Sequence, residues 1–178
     1  MKYFLLFAVV LTLTQKRNPL TFIKNIEFQW PLIILISFGI QIALAFITVE
    51  TNKKFEFILI LTFVGLIIGL WKNRKIAGVK WIITGASLNL TALILHGGFM
   101  PVSKTALIMT GQGITSFEND SRHQLMKDSL QYWILGDWLP VVHYVLSPGD
   151  LLVGIGIILL IFCNSSNRKI KGERYESY

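Results

Sequence analysis

The sequence predicts an all-α fold: a polytopic membrane bundle of about five helices, the first one short, with a long helical extracytoplasmic segment lying on the membrane. Three observations predict it. The 178 residues are 53% hydrophobic and only 15% charged, whereas ordinary soluble domains carry about a quarter charged residues. Long apolar runs near 30–48, 56–71, 79–97 and 148–165 approach the roughly 20 residues that a helix needs to cross hydrocarbon. Basic residues gather in alternate connections: Lys16, Arg17 and Lys24; then Lys72, Arg74, Lys75 and Lys80; then Arg168, Lys169, Lys171 and Arg174. Loops that stay cytoplasmic carry such an excess. The net charge of +7 therefore sets topology, and the expected partner is the lipid bilayer rather than nucleic acid.

The first run, residues 3–15, is short for a span, and no small-x-small cleavage site separates it from Lys16. It is expected to remain as a first helix. The second begins at Trp30 and Pro31, an interfacial aromatic followed by a residue suited to the first helical position, and carries Gly39 and Ala43. Gly65 and Gly69 in the third have the GxxxG spacing of close helix pairs. In the fourth, Gly85, Asn89, Ala92 and His96 fall at i, i+4, i+7 and i+11, a small and polar stripe that should face protein. Asn89 is expected to join helices by hydrogen bonding, with Gln41 one partner for it. The last run, with Gly154 and Gly156, ends at Cys163, the single cysteine, which excludes an internal disulfide and reads as a buried apolar residue. No repeat or linker divides the chain, so 1–178 forms one domain, with segment 98–147 outside and tail 166–178 inside. No Asp, Glu, Lys or Arg lies near the centre of a run, which argues against an ion or proton pathway.

Segment 98–147 holds the candidate chemistry. His96, His123 and His143 fall in it or at its edge. Gly97 and Gly98 end the fourth helix, and Pro101 stops its continuation. Ser103 is placed to cap a short helix whose Leu107, Ile108 and Met109 would lie on the membrane. A second helical piece is expected from Ser121 to Leu130, followed by an interfacial cluster of Tyr132, Trp133 and Trp138. The three histidines with an aspartate offer zinc-type donors, but their spacing fits neither a helical pair nor a finger. No metal and no cofactor is expected.

Asp137 and Asp150, each preceded by glycine, form a more pointed pair. Two adjacent carboxylates share one proton, so one activates water while the other protonates a leaving group. A structural reading competes for Asp150. Ser147, Pro148, Gly149 and Asp150 have the pattern of a capping box that opens the last helix. Both readings stay open, with His96, Asn89, His123, Trp138 and His143 as candidate binding residues near the pair.

The run "HGGFMPVS", then His123, "LGDWLP" and "LSPGDLLVGIG" resembles an uncharacterised family of small bacterial multi-pass membrane proteins with Gly-Gly-x-Met-Pro-Val and Ser-x-Gly-Asp motifs. That resemblance implies a bacterial cell-membrane location and no known activity. More distantly, the chain resembles lipoprotein signal peptidases, aspartyl enzymes whose second catalytic Asp opens the last membrane helix; on that likeness Asp150 matches the second aspartate and Asp137 the first. The Gly-Asn-x-x-Asp-Arg segment of those enzymes has no counterpart here. The functional expectation is an aspartyl-type hydrolase acting on a membrane-associated peptide or lipid substrate at the outer face. Its rival is a non-catalytic accessory protein whose outer segment binds a partner membrane protein.

Overall fold

Each apolar run closes its backbone hydrogen bonds on itself. The computed structural model, which describes residues 1–51, 55–112, 123–126 and 131–166, contains helices α1 (Lys2–Thr14), α3 (Pro31–Thr51), α4 (Glu56–Lys72), α5 (Val79–Leu95) and α7 (Pro148–Asn164) at the expected places. Two short helices, α2 (Thr21–Asn25) and α6 (Lys104–Met109), a 3-10 turn at Trp133–Leu135 and four short strands complete the described chain: β1 (Met100–Val102), β2 (His123–Leu125), β3 (Leu139–Val141) and β4 (Tyr144–Leu146). The fold is predominantly helical. Among the described residues one helix, α3, is long and apolar enough over Pro31–Thr48 to cross a membrane by length and composition; α1, α5 and α7 are apolar but shorter.

Successive long helices reverse direction. The Phe4 ring of α1 lies over Gly154 of α7, and Arg17 donates to the Phe162 carbonyl at the far end of α7 at 3.1 Å. These two helices therefore run side by side in the same sense. α5 runs against α7, with Gly78 on Gly156 and Gly85 on Gly149, two glycine pairs seven residues apart on each helix. A Cβ on Gly85 would collide with the Gly149 carbonyl oxygen, so backbone meets backbone along this seam. Gly65 and Gly69 of α4 receive Ser37 and Ile34 of α3, again antiparallel. Lys16, Arg17, Lys24, Lys72, Arg74 and Lys75 consequently share one end of the bundle, and the strands occupy the other.

Five expectations change. The described residues of segment 98–147 are not mainly helical: beside two short helical pieces they form a parallel pair, β1 with β2, and an antiparallel hairpin, β3 with β4. The helix expected over Ser121–Leu130 is, in its described part, strand β2, because the exposed edge of β1 takes it as a hydrogen-bonding partner; the remainder lies outside the described residues. α6 forms with Ser103 as its cap, but Leu107 is fully buried, and only Ile108 and Met109 face outward. Gly39 has nothing within 4 Å of its missing side chain, so α3 packs through Ser37 instead. Cys163 is exposed rather than buried, because α7 turns its glycines, not its cysteine, to α5. Tail residues 167–178 lie outside the described residues.

Candidate functional site

The start of α7 builds the first half of the site. Ser147 accepts from the backbone N–H of Asp150 at 2.9 Å, and the Asp150 carboxylate accepts from the Ser147 N–H at 3.4 Å, the reciprocal pair of a capping box. Asp150 also reaches across the helix seam. Asn89 of α5 donates Nδ2 to its Oδ1 at 2.9 Å, while the Asn89 Oδ1 accepts from the Ser147 hydroxyl at 2.9 Å. The amide is thus used at both ends by α7, and Gln41 is not its partner. Gly149 makes this possible, since any Cβ there would strike the Asn89 amide.

The second half comes from the strands. Asp137 pairs with Val102 in a parallel bridge: its N–H donates to the Pro101 carbonyl at 2.8 Å, and its carbonyl accepts from the Ser103 N–H at 2.8 Å. On the other side β1 pairs Met100 with His123. The Met-Pro-Val strand therefore holds His123 and Asp137 on its two flanks, and their side chains meet with Nε2 to Oδ2 at 3.8 Å. Gly136 lets the Asp137 strand approach, because a Cβ there would lie 2.5 Å from the Pro101 carbonyl.

The two halves face one cavity of about 250 Å³, lined by Asp137, Asp150, Asn89 and His123, by Gln41 of α3, and by Leu59, Phe63, Leu93 and Met100. Asp137 is only 7% exposed. Its Oδ1 has no hydrogen-bond partner among the described residues, and neither has the Nε2 of Gln41. Burial pushes the Asp137 carboxyl up from the usual carboxylate range to about 7; the charge of Asp150 adds to the rise, and His123 offsets part of it. One acid of the pair thus holds a proton near neutrality, and the other is fixed as a hydrogen-bond acceptor. A buried carboxyl that holds a proton can donate it, and a carboxylate can accept one. Among the described residues no group of three or more His, Cys, Asp or Glu could hold a metal ion.

Four of the seven candidate side chains, Asp137, Asp150, Asn89 and His123, line the cavity. The other three stand elsewhere. His96 ends α5, with its ring nitrogens 2.7 Å from the Ala92 carbonyl and 3.1 Å from the Gln131 carbonyl. Trp138 donates to the Ile134 carbonyl at 2.9 Å and packs edge-on against Trp133. His143 is exposed at the turn of the β3–β4 hairpin. Gln41, expected only as a partner for Asn89, is the site residue that was missed. Its signal was present: Ser37, Gln41, Leu44 and Thr48 recur at helical spacing on α3, and three of them are buried.

The family model of DUF5317, a family of unknown function, matches residues 25–162. An uncharacterized protein of Thermotoga maritima is 31% identical over 109 residues, covering 58% of this chain and 62% of that protein. The chain thus spans less than two thirds of that relative. No solved structure matches.

Proposed function

As a chain that belongs to DUF5317, a family of unknown function, this protein takes no activity from its relatives, and we propose from its own geometry that it is a bacterial multi-pass membrane hydrolase of the aspartyl type. In this reading all five long helices span the membrane, segment 98–147 and the N-terminus lie outside, and the C-terminus lies in the cytoplasm. Support for immersion comes from the outward faces of the shorter helices. Leu5, Phe7, Phe57, Leu61, Ile68 and Ile94 are exposed there, large apolar side chains that a bilayer would cover. The shared cationic end of the bundle supports the orientation.

The observation that carries the catalytic reading is that the buried Asp137, whose Oδ1 has no partner among the described residues, lines the same cavity as Asp150. In the reaction, the Asp150 carboxylate takes a proton from water, the water oxygen bonds to the substrate carbonyl carbon, and Asp137 passes its proton to the carbonyl oxygen. A neutral gem-diol results. On collapse, the bond from carbon to the leaving atom breaks, Asp150 returns its proton to that atom, and a diol hydroxyl returns a proton to Asp137 as the carbonyl re-forms. Both acids end as they began.

The test is hydrolysis of fluorogenic acyl substrates by the protein in lipid nanodiscs. Asp137→Asn and Asp150→Asn should each lower the rate by roughly a hundredfold or more while the variants stay folded. Full activity in either folded variant would remove the hydrolase reading. Exposed Tyr132, Trp133, Ile134 and Val142 at the strand-bearing end favour a second reading, a recognition surface for a membrane partner. That reading is supported instead if partner capture survives both aspartate substitutions and is lost when these four are replaced.

A further inference from the structure

We infer that Gln41 is the second donor to the substrate carbonyl, so that the cavity takes a neutral carbonyl group flanked by apolar substituents rather than an anionic ester. This rests on the aspartyl reading above. A buried amide N–H without a partner costs free energy in the empty protein, and buried polar groups in folded proteins are otherwise satisfied. Gln41 Nε2 and Asp137 Oδ1 are both left in that condition among the described residues, and both residues line the same cavity. They lie on elements far apart in sequence, α3 and the strand-bearing segment, so one local distortion does not explain both.

A carbonyl oxygen accepts two hydrogen bonds, and its acceptor strength grows as the tetrahedral carbon forms. Two preorganised donors therefore stabilise the transition state more than the ground state. Asp137, when protonated, supplies one, and the Gln41 amide supplies the other without adding charge. Leu59, Phe63, Leu93 and Met100 offer only apolar contact to the flanking groups. The described lining has two carboxylates and no Lys or Arg, which opposes entry of a phosphate or sulfate ester. A cavity of about 250 Å³ admits the reacting group and its immediate neighbours, with the rest of the substrate left outside.

The experiment measures binding to the full-length protein in nanodiscs. The probes are an apolar dipeptide in which a hydroxyethylene unit replaces the reacting carbonyl, and the matching anionic phosphonate. The hydroxyethylene compound should bind at least tenfold more tightly than the phosphonate. Gln41→Met should weaken its binding by about tenfold, the equivalent of one lost hydrogen bond, without lowering the melting temperature of the ligand-free protein. Gln41→Glu, which replaces the donor by an acceptor, should weaken it further. Competition by the parent dipeptide amide or by its ester separates the two sources of the carbonyl; competition by neither overturns the inference. So does tighter phosphonate binding. A Gln41→Met protein that melts lower but binds as wild type makes Gln41 a packing residue. If Asp137→Asn and Asp150→Asn both bind the probe undiminished, the aspartyl reading falls; if they lose it while Gln41→Met keeps it, only the role of Gln41 falls.

Discussion

Asp150 is at once the third-position member of the capping box of α7, the acceptor for Asn89 and a wall of the cavity, so its structural role does not exclude a chemical one. Asp137 separates the two. Its carboxyl titrates near 7 in the folded protein, against about 3.9 in an unfolded chain, so the native state holds a proton that the unfolded state has released. Its stabilising contribution is full below pH 4 and is lost as pH rises to 7, on the order of 4 kcal/mol in total. Melting curves from pH 4 to 8 should therefore show Asp137→Asn gaining on wild type as pH rises. A wild-type-minus-variant difference that stays constant over that window contradicts the burial of a protonated Asp137. Asn89→Leu strands Asp150 Oδ1 and the Ser147 hydroxyl together, and should cost roughly 2 kcal/mol in chemical denaturation; an unchanged midpoint would mean that the bridge contributes nothing. The cap was legible in the sequence because its four residues are contiguous. The placement of Asp137 was not, because its burial depends on a strand pairing with Val102, 35 positions away.

Helices were legible for the same local reason: apolar runs, a proline start and glycine stops lie within a few residues of the ends they define. Their packing faces were legible where small residues recur at helical spacing, as at Gly85, Asn89 and Ala92, and misleading where a glycine stood without a neighbour, as at Gly39. The strands between α5 and α7 left no periodic mark, since three-residue elements are too short to alternate. This contrast yields a paired test. Gly85→Ala forces α5 away from the Gly149 backbone and should destabilise by about 3 kcal/mol, opening the Asn89–Asp150 bridge with it. Gly39→Ala meets open space and should stabilise α3 by roughly 0.5–1 kcal/mol through helix propensity alone. Equal effects of the two substitutions, read from melting in detergent, would contradict glycine-mediated contact between α5 and α7.

On the proposed membrane reading, the decisive quantity for the whole molecule is which end of the bundle faces which compartment. The geometry brings the basic connections to one end and the cavity to the other, so a single orientation assigns both. If Lys75 and its neighbours are cytoplasmic, the cavity of Asp137 and Asp150 must open at the outer surface, where a substrate arriving through the outer leaflet reaches it without crossing the membrane. In a Cys163→Ser background, His143→Cys places a thiol on the exposed hairpin turn, and Lys75→Cys places one in the exposed connection between α4 and α5. A membrane-impermeant maleimide should label the first in intact cells and the second only after permeabilisation. Reversed labelling would put the cavity in the cytoplasm. Labelling of both in intact cells, or release of the protein from membranes by alkaline carbonate, would show that the exposed apolar faces of α1, α4 and α5 meet something other than a bilayer.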